Sequence, residues 1–281
     1  MLTRERAPEE ELDAAPRWSL DHIDWSGIAR ARARDDPLLF FLVTAASFVE
    51  TGADLYAANL ASHVDDPVAK RWLEHRWQFE ELRHGRALRK YVETVWPELD
   101  WARGYADFMA EYSAHCTLDA LDGSRALEMV ARCVVEVGTS TYYTALLRYA
   151  PEPVLGSLVR RIRQDEVRHY NRFRGFFESY RRKERIGRLA VLRKLLARLA
   201  EAQDLDAYVA FKHVWLMRHP RDEFPNPRFA LFMREVHSVM RDRYPYRMAA
   251  RMLLRPLRLA PALINLASPL LEGAARRLMF S

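Results

Sequence analysis

The sequence predicts an all-α protein: four long helices in a bundle with one long crossover, followed by a C-terminal helical extension. Three observations predict it. About half of the 281 residues are apolar and only 10 are Gly, a composition suited to packed helices. The apolar segments are punctuated by helix-starting pairs such as Asp66-Pro67 and Asp36-Pro37. The connections between the four long segments run short, long, short, which pairs the first helix with the second and the third with the fourth.

Taken in order, residues 1–36 are charged and contain Pro, and read as a loose leader with Trp18 and Trp25 as docking points. A first helix runs from Pro37 to His63. A second starts at Pro67, capped by Asp65-Asp66, and stops near Trp96 before Pro97. A connection of roughly 28 residues follows, with a short helix near Tyr105–His115, and ends at Asp122-Gly123-Ser124. Such a length can travel the whole height of a bundle whose helices are ~40 Å long. The third helix ends near Tyr149, Pro151 and Pro153 make a tight turn, and the fourth ends near Lys183. These boundaries give a leader at 1–36, a bundle at 37–183 and a basic extension at 184–281. In the extension, helices are expected at Ile186–Ala200, Leu205–Arg218, Pro227–Arg243 and Met248–Leu278, packed on the bundle.

Chemistry enters through a pattern that occurs twice. Glu50 precedes Glu81-Leu82-Arg83-His84 by 31 residues, and Glu136 precedes Glu166-Val167-Arg168-His169 by 30. Residues three apart share a helix face, so each Glu-x-x-His presents a carboxylate and an imidazole together. One such pair is weak evidence, because this composition supplies about 0.7 by chance. The setting is more telling. Glu50 lies in the apolar run that starts at Leu38, and Glu136 in the run Met129–Val135. A buried carboxylate costs several kcal/mol unless it is paired or binds a metal.

Facing half-sites would supply four carboxylates and two histidines, a ligand set for two metal ions. Hard oxygen ligands with one imidazole per metal suit iron, with manganese as the alternative. Glu81 and Glu166 are the natural shared ligands. Glu50 with His84 would complete one metal, and Glu136 with His169 the other. Glu80 and Asp165 are candidates for orienting the two imidazole rings. Small residues beside Glu50 (Ala46, Ser47, Ala53, Ala57) would leave room for a hydrophobic substrate. The competing reading is a metal-free bundle with buried Glu–His pairs.

With the ligands placed, the chain resembles the ferritin-like superfamily, and within it the acyl-carrier-protein desaturases. Glu80-Glu81-Leu82-Arg83-His84-Gly85 resembles that family's Glu-Glu-x-Arg-His-Gly, and Asp165-Glu166-Val167-Arg168-His169 its Asp-Glu-x-Arg-His. The likeness covers about residues 37–183. It implies a ferritin-like bundle with a di-iron centre and O2-dependent oxidation, either desaturation or monooxygenation. It also implies a hydrophobic or carrier-bound acyl substrate and an external electron donor. Thr139, three residues after Glu136, matches a family threonine on the oxygen side of the metals, which makes it the candidate catalytic residue. The alternative class is a ferritin- or rubrerythrin-like protein for iron binding or peroxide removal. No Cys-x-x-Cys pair is present for a rubredoxin-like iron.

Charge divides the chain. Residues 181–281 hold 21 Lys/Arg and 9 Asp/Glu, a net of +12 within a total of +6, so residues 1–180 carry −6. From Arg243 onward there are seven arginines and one acidic residue, Glu272, among short apolar runs broken by Pro256, Pro261 and Pro269. That pattern suits a segment lying on an anionic membrane or docking an acidic carrier, or else a helix pair covering the bundle. Two cysteines without a disulfide framework and no secretory signal indicate a cytoplasmic location, with peripheral membrane contact as the variant. A homodimer is compatible with these features, and no nucleic acid is expected.

Overall fold

The computed structural model describes residues 16–116, 121–150, 152–201 and 206–278. Every regular element among them is helical. In chain order these are α1 (Arg30–Arg34), α2 (Pro37–Thr51), α3 (Ala53–His63), α4 (Pro67–Trp72), α5 (Gln78–Val95), α6 (Trp101–Tyr112) and α7 (Arg125–Tyr149). They continue with α8 (Pro153–Glu184), α9 (Arg188–Glu201), α10 (Asp206–Arg218), α11 (Pro227–Arg243), α12 (Tyr246–Leu254) and α13 (Pro261–Leu278).

The long segments begin where their caps say they should. Asp36 accepts from the N–H groups of Leu38 and Leu39, and Asp66 from those of Val68 and Ala69. Ser124 accepts from Leu127, and Glu152 from Val154 and Leu155. Three of these helices place Pro at the first position, where its missing N–H costs nothing.

Contacts between helix ends define the topology. Arg34, ahead of α2, donates to the carbonyl of Val95 at the end of α5 (2.8 Å). Tyr149, ending α7, donates to Asp36 at the start of α2 (2.6 Å), and Ser124, opening α7, donates to Glu184 closing α8 (2.5 Å). The N–H of Asp66 donates to Tyr180 near the end of α8 (3.1 Å). The four segments α2–α3, α4–α5, α7 and α8 therefore run up, down, down and up. The second segment thus ends at the opposite end of the bundle from where the third begins.

Two apolar clusters fill this arrangement. One holds Leu38–Phe48, Ala87–Trp96, Tyr143–Leu146 and Leu155–Ile162 positions; the other holds positions of 57–77, 126–137 and 170–180. On each segment the acidic and histidine motif lies at the junction between the clusters. The sequence thus sandwiches one charged layer between two hydrophobic ones.

Several expected boundaries move. The first helix is interrupted at Gly52, where ψ is near 1°, so α2 ends one residue after Glu50. Thr51 donates its hydroxyl to the carbonyl of Ser47 (2.6 Å), a side-chain bond that loosens the helix at this point. The second contains a π turn at Leu73–Trp77 between α4 and α5. The crossover helix starts at Trp101, earlier than its periodicity suggested, because Asp100 caps it by accepting from Arg103 (3.0 Å). The last expected helix is a hairpin: Pro256 sits in the 3-10 turn Arg255–Leu257 that separates α12 from α13.

The leader expectation is corrected as well. Residues 16–36 are docked, not loose: Trp18 is 2% exposed and Ile23, Ile28 and Ala33 are buried. A large aromatic with one polar atom finds both an apolar wall and an acceptor there. Residues 1–15, Pro151 and Leu205 lie outside the described residues.

After Glu184, α10 lies against α2 and α6, while α9, α11 and α12 lie against α7. Phe41 of α2 meets Trp215 of α10 and Phe232 of α11 (ring centroids 6.0 and 4.4 Å). Among the described residues one stretch, Pro37–His63, is long and apolar enough to cross a membrane, and it is mostly buried in the core.

Candidate metal centre

Glu50, Glu81, His84, Glu136, Glu166 and His169 come together in the charged layer, each at most 7% exposed. They form two overlapping groups able to hold a metal ion: Glu50, Glu81, His84 and Glu166, and then Glu81, Glu136, Glu166 and His169. Within each group the ligand atoms lie within 4.8 Å of one another. Glu81 and Glu166 belong to both.

The two imidazoles are set in the same way. His84 turns Nδ1 inward, 3.1 Å from Glu166 and 3.3 Å from Glu50, and its Nε2 meets Asp165 at 3.0 Å. His169 turns Nδ1 toward Glu81 (2.9 Å), with Nε2 on Glu80 (2.9 Å). Each ring gives Nε2–H to its outer acid and turns Nδ1 to the layer, where with a metal present Nδ1 would be the ligand atom. Each ring is thus held by the acid that precedes the other motif's glutamate. Asp165 orients His84 and Glu80 orients His169.

Those acids are themselves held in place. Oδ2 of Asp165 accepts from Trp18 (2.7 Å) and Arg83 (3.0 Å), and Arg168 pairs with its other oxygen. Trp18 stacks parallel to His84 at 5.9 Å, and Arg83 lies over the Trp18 ring. Glu80 pairs with Arg76 (3.0 Å) and Arg83 (3.5 Å). Burial alone would raise the Glu80 carboxyl, but His169 and the two arginines outweigh it and keep it ionised.

The outer oxygens of the terminal carboxylates also have donors. Tyr143 donates to Oε1 of Glu50, and the Trp77 indole donates to Oε1 of Glu136 (3.2 Å). The π turn ends at Trp77, where it aims the indole across to α7. Thr139 donates to Oε2 of Glu166 (2.7 Å), so its hydroxyl rests on a carboxylate shared by both groups.

Inward atoms fare differently. Oε1 of Glu81, Oε2 of Glu136, Oε1 of Glu166 and Nδ1 of His169 are buried and face one another, with Nδ1 2.9 Å from Glu81 and 3.7 Å from Glu136. Carboxylate oxygens and imidazole nitrogens that converge on one point could hold a cation there. Electrostatics agrees. Burial, then Glu166 and Glu50, pushes the Glu81 carboxyl up to about 8, and burial with Glu166 raises Glu136 well above the carboxylate range. Burial disfavours a charged His84, but Glu166 and Glu50 overcome it and push the ring up to about 10. His169 is raised likewise against its own burial by Glu80 and Glu81. The layer gathers protons because it is deficient in positive charge. Four carboxylates match the charge of two divalent ions, so the donor set fits a metal.

The Glu81–Glu50 side is closed by a short approach. A Cβ on Gly85 would lie 2.5 Å from Thr51 Oγ1 and 2.7 Å from its backbone nitrogen. Only glycine lets α5 come this near to α2, which brings His84 to Glu50. Of the small residues beside Glu50, Ser47 accepts from the Trp101 indole (2.8 Å), and Ala57 is fully buried. The space opening on the cluster, lined by Trp72, Arg76, Glu80, Arg168 and His169, is about 10 Å³. That is room for about one water.

Trp18, Tyr143 and Trp77 were not read from sequence as supports of the ligands. Their roles depend on tertiary placement, though a tryptophan in an otherwise charged leader was a usable signal. Comparison of the chain with protein-family models and with curated proteins finds no match.

Proposed function

We propose that this is a ferritin-like di-iron protein that uses O2 to oxidise a hydrophobic, acyl-type substrate, with electrons from a separate donor. The observation that carries the reading is the pair of ligand groups sharing Glu81 and Glu166. Two adjacent irons bound there would together supply the electrons that activate O2. Iron is favoured over zinc or copper by the ratio of carboxylates to imidazoles. Manganese at one position remains compatible with the same donors.

The chain's own residues have definite tasks in this reading. Glu81 and Glu166 would be shared by the two metal positions, Glu50 with His84 would hold one, and Glu136 with His169 the other. Asp165 and Glu80 hold the rings so that Nδ1 points inward. Tyr143 and Trp77 hold the terminal carboxylates by their outer oxygens. Thr139 limits how Glu166 can turn, which is the hold an oxidising site needs on a shared carboxylate. The apolar clusters on both sides keep bulk water from the layer.

Anaerobic Fe(II) loading followed by O2 exposure tests the proposal, with free and carrier-bound acyl chains followed by mass spectrometry. Loss of two hydrogens or gain of one oxygen, dependent on both iron and O2, is the expected outcome. Iron oxidation that builds a mineral core, with no change in any acyl chain, would instead indicate storage.

A further inference from the structure

We propose that the α12–α13 hairpin is a docking surface for an anionic lipid bilayer. Three exposed leucines form a row along α13: Leu263, Leu266 and Leu270 are 53%, 70% and 75% exposed. Their spacing of three and four residues puts them on one helix face. Beside them, α12 and the turn after it carry Arg247, Arg251 and Arg255, four residues apart and all exposed. The two helices pack against each other, and Arg276 near the end of α13 lies over the Tyr246 ring at the start of α12 (4.9 Å). The hairpin is therefore antiparallel, with exposed leucines on one helix and exposed arginines on the other.

The buried side of α12 explains why these residues face out. Met252 is seated against α7 and α8: its sulfur lies 3.9 Å from the Ser140 hydroxyl of α7, Tyr170 of α8 donates to its carbonyl (2.6 Å), and Ala249 and Ala250 are buried. The arginines lie on the opposite face. Leucines left in water cost free energy that a partner recovers, and the surrounding charge selects the partner. The only acidic residue from Arg243 to the end of the chain is Glu272, which pairs with Arg276 (3.5 Å). A second copy docking by the same face would set arginine against arginine. A bilayer with anionic headgroups takes up the leucines and neutralises the arginines together.

Vesicle flotation of the full chain tests this surface, using phosphatidylcholine with and without phosphatidylserine at low and high salt. Binding should require phosphatidylserine and weaken with salt. Replacing all three arginines, Arg247→Gln, Arg251→Gln and Arg255→Gln, should weaken it about a hundredfold at low salt, since each contributes about a factor of five. Leu263→Gln, Leu266→Gln and Leu270→Gln together should also release the protein. Metal content and thermal melting of both triple variants should match the parent chain, which separates this surface from the metal reading. Three results would overturn the proposal: no binding to either vesicle, equal binding of parent and arginine variant, or leucine-dependent dimerisation without flotation.

Discussion

Asp165 shows how much of the site is set by residues that would never touch a metal. It collects Trp18, Arg83, His84 and Arg168 on two oxygens. An Asp165→Asn variant keeps the shape but loses the charge that holds the hydrogen on Nε2 of His84. Metal affinity should fall about 10- to 100-fold, the usual effect of losing such a support. Trp18→Phe removes one donor of several and should cost less; competition with a metal-sensitive dye ranks the two. Protons give a second test at this scale. With Glu81 up to about 8 and His84 up to about 10, both hold a proton at neutral pH in the metal-free chain. A metal must displace those protons, so affinity should rise with pH through about 8 and on toward 10, and fall below that range. Calorimetry in buffers of different ionisation enthalpy should register net proton release at pH 7. Uptake of metal without it would mean that other groups bind the ion.

At the scale of elements, the decisive contact is the approach of α5 to α2 at Gly85. Gly85→Ala places a methyl against the backbone of Thr51, next to Glu50, and on the residue after His84. The helices must part, at a cost of about 1–3 kcal/mol. We expect a lower melting temperature together with weaker metal binding. Gly175→Ala, where the new Cβ meets nothing within 4 Å, serves as the control. The helices themselves were legible from Pro and Asp caps and from the order of connection lengths. Glu81, His84, Glu166 and His169 were legible because a three-residue spacing fixes a shared face, and Glu50 and Glu136 because each sits in an apolar run. What escaped the sequence depends on neighbours distant in the chain. The break at Gly52 and the π turn at Leu73–Trp77 carry no local signature beyond a glycine or a bulky run. The docking of Trp18 on Asp165 joins residues 147 apart in the chain, and periodicity cannot report such a pairing. The seat of α10 between α2 and α6 escaped for the same reason.

For the whole molecule, one charged layer between two apolar clusters means that the fold carries a local electrostatic penalty unless cations occupy the layer. Four helical segments supply its six candidate ligands, so occupancy would tie together the up, down, down and up segments at mid-height. Metal should therefore raise the unfolding temperature of the entire chain, by about 2.7 kcal/mol of added stability at a hundredfold excess over Kd. The measurement closest to the central claim is metal stoichiometry after anaerobic loading with Fe(II), read by elemental analysis and iron spectroscopy. The account predicts two irons per chain in a coupled pair, and loss of most iron in Glu81→Ala with the helical content retained. One iron per chain, no iron, or two irons kept by Glu81→Ala would contradict it.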